Sequence, residues 1–318
     1  MGMKGNDRGA RGDAKPRPDA DIFGEDILHD LEELLQNEPT TARKKPAPSA
    51  SPRPPAPPVP VPPPKLKGDA EKRRQAQELA AQAGNASDPK TATRLARQAL
   101  ELDRSCADAL VVLAHARATA PDELAEGLAR AVAWAAQGLG KEHIDYYRGK
   151  LWSVPEARPY MRARRELADV LRDMGRVDQA IAHYEALLEL DAGDSQRNRE
   201  PLLSCYLALG YHEAAKRLLD RFAKDESAVL AWSRVLERYL AGDLANATTA
   251  LAKARESNHW VEGYLAGRKP MPQYTLSNPE PGSDSEARHC AAHLLPALVE
   301  HPRFGVWLAA QQQKTDSK

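Results

Sequence analysis

Three glycines constrain this chain more than any other feature. Gly175, Gly210 and Gly242 are spaced by 35 and 32 residues, and each is followed four or five residues later by an alanine: Ala180, Ala214 and Ala247. A glycine at a helix end accepts the left-handed conformation that stops the helix, and a small residue after it lets the next helix approach closely. The stretch around the first glycine, Met161 to Asp194, shows what lies between the stops. Leu167, Ala168, Leu171 and Met174 recur at three- and four-residue steps, which puts them on one helical face. Ala180, Ile181, Tyr184, Leu187, Leu188 and Leu190 do the same for a second helix. The short turn at Gly175-Arg176-Val177 makes the two helices antiparallel neighbours.

A helix hairpin of about 34 residues resembles a tetratricopeptide repeat, which stacks into a superhelix when roughly three or more copies follow one another. The expected fold class is therefore all-α: a tetratricopeptide-repeat solenoid of antiparallel helix pairs over residues 68–268. A disordered Pro-rich arm, residues 1–67, is expected before it, and a loop with C-terminal capping helices, residues 269–318, after it.

The arm has three parts. Residues 1–20 are mostly Gly, Lys, Arg, Asp and Pro, and cannot bury enough apolar surface to offset ordering entropy. Residues 21–38 carry Phe23, Ile27, Leu31, Leu34 and Leu35 at helical spacing, with seven acids and no Lys or Arg. A helix that short is marginal alone and needs a groove, either on its own repeat domain or on another protein. Pro46 to Pro64 holds eleven prolines in nineteen residues. It is expected to run as polyproline II, and at ~3.1 Å per residue it could hold the acidic helix up to ~60 Å from the body. Pro60 to Lys65 has the PxxP-plus-basic form of an SH3 ligand, a form any tract this dense contains by chance, so the stiff-spacer reading is preferred.

The body opens with a helix over residues 69–84, and Ser87-Asp88-Pro89 then supplies an N-cap followed by proline at the first helical position. Ala99-Leu100-Glu101-Leu102-Asp103 matches Leu187 to Asp191, so residues 70–103 read as a first, weaker repeat. Helices from Cys106 and from Pro121 follow. Gly138 to Pro159 breaks the rhythm with His143, Tyr146, Tyr147 and Trp152. These aromatics are expected to pack onto the repeats, with binding anchors as the alternative. Beyond the last hairpin, Lys269 to Ser285 reads as a loop. Glu286 to Val299 reads as a helix that Pro296 must kink or shorten, and Phe304, Val306, Trp307 and Leu308 read as a cap on the last repeat.

One phrase is more specific. Glu156-Ala157-Arg158-Pro159-Tyr160-Met161-Arg162-Ala163-Arg164 precedes Gly175-Arg176-Val177-Asp178-Gln179-Ala180-Ile181-Ala182-His183-Tyr184. The pair resembles the suppression-of-tumorigenicity type of tetratricopeptide protein, whose bacterial relatives carry E-T-R-P-Y-M-R-A-R before G-R-x-x-E-A-I-x-H-Y. Tyr264-Leu265-Ala266-Gly267-Arg268-Lys269-Pro270-Met271-Pro272 is similar to that family's Y-L-x-G-x-K-x-x-P. The likeness covers roughly residues 85–310. The chain departs from the pattern in its aromatic insertion and in Gly305-Val306-Trp307-Leu308, where the family closes on G-A-L-x-W-L. The acidic helix and proline arm lie outside the likeness. The resemblance implies a repeat scaffold of undetermined biochemical role, with no catalytic residues to carry over. The family's animal members are membrane-associated, whereas nothing in this chain is expected to insert.

Two side-chain groups could carry chemistry. His289-Cys290-Ala291-Ala292-His293 puts two imidazoles at i and i+4 on one helical face, a chelating spacing. A zinc hydrolase of that spacing would need a glutamate where Cys290 stands. His301 or Cys290 could complete a ligand set, and solvated histidines are the plainer reading. Arg158, Arg162, Arg164 and Arg165 crowd a helix start, where positive charge opposes the macrodipole. Arginine forks there could grip an acidic peptide, and internal ion pairs between repeats are the plainer reading.

Bulk numbers narrow the classes. Lys plus Arg and Asp plus Glu are 45 each. The zero balance disfavours nucleic acid, leaving the Arg158–Arg165 cluster as the one place it could bind. Three scattered cysteines fit a reducing compartment. No apolar run approaches the ~18 residues of a membrane span, so a cytoplasmic location is expected. The expected function is a non-catalytic protein–protein interaction scaffold with no cofactor, no metal and no membrane contact. Its expected partner is a protein or acidic peptide, with docking of residues 21–38 in cis as one form. A metal-dependent protein or enzyme using His289 and His293 is the alternative.

Overall fold

Helix stops at near-regular spacing leave the described chain all-α. The computed structural model describes residues 63, 64, 66, 68–272 and 278–316, with side chains described through 312. The acidic stretch with Phe23, Ile27, Leu31, Leu34 and Leu35, and the polyproline tract as far as residue 62, lie outside the described residues. Among the described residues no β-strand forms. A single antiparallel bridge pairs Lys150 with Asp191.

The order is α1 (Ala70–Asn85), α2 (Pro89–Leu102), α3 (Ala107–Arg117), α4 (Pro121–Leu139) and α5 (Lys141–Tyr146). Two 3₁₀ turns, Leu151–Ser153 and Pro155–Ala157, lead into α6 (Arg158–Asp173) and α7 (Val177–Leu190). Next come α8 (Arg199–Ala208), α9 (His212–Arg221), α10 (Ala228–Leu240), α11 (Leu244–Ser257) and α12 (Val261–Leu265). The last two are α13 (Asp284–Glu300) and α14 (Arg303–Asp316). No helix among the described residues is long and apolar enough to cross a membrane.

Consecutive helices pack as hairpins: α1 on α2, α3 on α4, α6 on α7, α8 on α9, α10 on α11. The three glycines stand at the turns of the last three pairs, with φ of 77°, 72° and 76°. That region is open to glycine without steric cost, so each helix can stop and reverse within three residues. Some first helices also meet across hairpins: α1 touches α3, α3 touches α6, and α8 touches α10, while α8 joins the preceding hairpin through α7. The main core runs from α3 to α14 and includes Leu167, Tyr184, Leu203, Leu207, Trp232, Leu236 and Phe304, all under 4 % exposed.

The aromatic insertion packs. Leu151, Val154, Ala157 and Tyr160 form a second cluster with Leu139, Met161 and Leu187. Tyr147, Trp152 and Leu66 lie against it. The His143 ring sits 3.1 Å from the Pro64 carbonyl through Nδ1. The end of the proline tract is thus seated on the insertion, while Tyr146 stays exposed.

Helix α13 departs from expectation in two ways. It runs unbroken from Asp284 to Glu300 through Pro296, because buried Leu294 and Ala297 hold the backbone on both sides of the ring. It also packs against α8 and α10, the first helices of two successive hairpins, as well as α12. The reason is α8 itself: residues from Glu200 to Leu207 are all buried, and a helix that is apolar nearly all round has to be covered.

Candidate functional site

The docking of α13 onto α8 builds the one group of three potential metal ligands among the described residues. Contacts run in the same order along both helices, which makes them parallel. His289 meets Glu200, the Ser204 hydroxyl donates to the His293 carbonyl at 2.5 Å, and His301 Nε2 lies 3.0 Å from the Leu207 carbonyl. The last contact satisfies a backbone acceptor at the C-terminus of α8. At the other end, Glu286 accepts from the Ala228 amide at 3.0 Å and so caps α10 from outside. Asn258 and the Gly282 amide hold its other oxygen.

The loop before α8 fixes the acid. Asp194 and Arg197 both have positive φ, 53° and 56°, a strained choice for non-glycine residues. The Asp194 carboxylate compensates by accepting from the Asn198 and Arg199 amides, at 2.6 and 3.0 Å, and from the Arg199 guanidinium at 2.8 Å. Arg199 reaches on to Asp225. This turn aims Arg197 Nε at Glu200 Oε1, 2.8 Å away, and leaves Oε2 to face α13.

Two imidazoles converge on that oxygen. His289 Nε2 is 3.2 Å and His293 Nε2 is 3.5 Å from Oε2. The ring centroids are 4.7 Å apart at 73°. The three ligand atoms lie within 4.8 Å of one another, and all three residues are buried. The expectation of solvated histidines is therefore corrected: His289 is 5 % exposed and His293 8 %. Burial, the leading influence, drives His293 down to about 3, with His289 and two arginines acting the same way and Glu200 opposing. Burial pushes Glu200 up, but His289, His293 and Arg197 together outweigh it and hold the acid at about 2. At neutral pH the group is a charged carboxylate facing an uncharged His293. That donor set, two imidazoles and a carboxylate, suits zinc and neighbouring divalent transition metals.

Neither Cys290 nor His301 joins this group. The Cys290 thiol points the other way, to the Ala228 carbonyl at 3.5 Å. Glu200 is the third potential ligand, and it was not among the residues singled out from sequence. A signal existed: a lone glutamate at the start of the largely apolar Pro201–Leu207 run.

The arginine cluster divides among separate partners. Arg158 donates from Nε to the Trp152 carbonyl at 3.0 Å and lies over the Trp152 ring. Arg162 reaches Asp108 of α3 at 2.6 Å. Arg164 meets the Tyr160 hydroxyl at 2.8 Å. Arg165 pairs with Asp169 at 2.9 Å, donates to the Gln196 carbonyl and Asn198, and lies over Tyr184. Arg162 is 47 % exposed. Together with the His115–Glu166 pair it lines the junction of α3 and α6. A scan of the chain against protein-family models finds no match, and no curated protein matches it significantly.

Proposed function

We propose that the chain is a non-catalytic protein-interaction scaffold built as a tetratricopeptide-type solenoid. The observation that carries this reading is the seating of α13 across α8 and α10, the first helices of successive hairpins. First helices aligned in this way offer a groove in which a helix or extended segment can lie. Here the chain fills part of it with its own α13. The resemblance to the suppression-of-tumorigenicity type of repeat protein, quoted above, points the same way.

The partner segment is acidic and lies along the neighbouring α3 and α6, where Arg162 presents a half-exposed guanidinium beside Asp108. Exchange of that exposed intramolecular pair for a partner carboxylate costs little, since pairs of this kind contribute ~0–1 kcal/mol. The stretch at 21–38, with seven acids, is one occupant of suitable charge. Immobilised full-length chain and its Arg162→Glu variant should be offered an array of acidic and neutral helical peptides, the 21–38 sequence among them. Acidic peptides should bind the parent and be lost from the variant. Equal retention by both proteins would overturn the assignment of the groove.

A further inference from the structure

We propose that Glu200, His289 and His293 form a zinc site that clamps helix α13 onto α8. The proposal stands apart from the peptide-binding reading and concerns how the groove is closed.

Convergence is the first argument. A buried carboxylate needs one good hydrogen-bond donor per oxygen, and Arg197 with His289 already provides that. His293 Nε2 also turns to Oε2 at 3.5 Å, too far for a hydrogen bond of normal strength. Two rings aimed at one point are redundant as donors to the carboxylate, but a metal ion needs that arrangement.

Spacing is the second argument. Zinc bonded at about 2.0–2.1 Å to nitrogen and oxygen in a tetrahedron holds its ligand atoms roughly 3.3–3.4 Å apart. The two nitrogen–oxygen separations here, 3.2 and 3.5 Å, straddle that value. The third separation is within 4.8 Å.

The surroundings agree. Arg197 binds Oε1 and orients the carboxylate as a single-oxygen ligand, the role an outer-shell partner plays in metal sites. The i, i+4 spacing on α13 keeps both histidines on one face, and the bond from Ser204 to the His293 carbonyl fixes the depth of that face. The fourth position goes to a water molecule or a small anion. Because all three residues are buried, the ion ties two distant parts of the chain together instead of meeting a substrate.

The test uses the full-length chain, stripped with a chelator, reloaded with zinc alone, desalted and analysed for metal. About one zinc per chain is expected. It should fall to background in the His289→Ala/His293→Ala variant and persist in His115→Ala, which removes an exposed histidine. Arg197→Met should weaken zinc affinity about 10–100-fold while keeping every ligand. Should the double variant unfold, cobalt(II) in the parent protein decides. Intense visible bands of tetrahedral coordination support the site, and a weak octahedral spectrum overturns it. A parent chain that retains no more zinc than the double variant also overturns it.

Discussion

The His289 imidazole meets the Glu200 carboxylate at 3.2 Å, although the two stand 89 positions apart in the sequence, and both side chains are nearly sealed from water. A buried pair of this sort is costly to break, because removing one partner leaves the other desolvated and uncompensated. Glu200→Ala is expected to lower stability by about 1–3 kcal/mol, the cost of leaving a buried hydrogen-bonding group without its partner. Urea unfolding in the presence of a chelator measures this without contribution from any metal. A loss under about 1 kcal/mol would mean that the carboxylate behaves as a surface group.

Acid should loosen the fold from near-neutral pH downward. Burial holds His293 at about 3 and, together with Arg164, His183 at about 4, both from 6.5. Below 6.5 the unfolded chain takes up protons that the folded chain refuses. The stability these histidines confer is complete above 6.5 and drains as pH falls toward their folded values. Glu200, held near 2 against 4.5, adds stability that is present above 4.5 and lost between 4.5 and about 2. All three act in the same direction. Between about pH 6.5 and 4.5, stability should fall by up to about 1.4 kcal/mol per pH unit for each such histidine. Urea midpoints across that range, with chelator present, measure the slope. It should flatten in His293→Gln, and a midpoint independent of pH would refute the assignment.

How much of this was legible beforehand depends on the range of the interaction. The hairpins are local: Leu167, Leu171, Ile181 and Tyr184 recur at helical steps, and Gly175 marks the turn within one window of sequence. Pro296 does not shorten its helix, because its local penalty, about 3 kcal/mol within a helix, is outweighed by burial of Leu294 and Ala297 on either side. The chelating spacing of His289 and His293 was visible, but Glu200 was not. It joins them only because α13 lies parallel to α8, a fact of tertiary packing. The arginines illustrate the same limit: their partners Asp108, Gln196 and Asn198 come from other helices and loops.

The α3–α4 hairpin rests on a close approach. A Cβ added to Gly127 would sit 2.7 Å from the Ala114 Cβ. Within a helix, Gly→Ala normally stabilises by roughly 0.8–1.0 kcal/mol. Here overpacking, typically about 1–3 kcal/mol, outweighs that gain. Gly127→Ala is therefore expected to destabilise, and Ala114→Gly in the same chain to recover part of the loss. A double-mutant cycle in urea reads the coupling directly. Additive effects would show that the hairpin relaxes without strain.

Cys290 reports on α13 without perturbing it. Its thiol is fully buried against the Ala228 carbonyl, and burial raises it well above the ordinary 9. Burial likewise raises Cys106 and Cys205 to about 11. Thiolate is the reactive form, so all three should resist a disulfide reagent until the chain opens. Glu286→Ala removes the carboxylate that caps α10 and anchors the start of α13. A hydrogen bond to a charged group is worth about 1.5–3 kcal/mol, so labelling of Cys290 should accelerate about 10–150-fold. Cys106 belongs to a separate cluster of α1, α2 and α3 and should keep its parental rate. Peptide-level mass spectrometry resolves the two. Selective acceleration at Cys290 would show α13 opening as a unit, whereas equal acceleration at both sites would show that the helix leaves only when the whole chain unfolds.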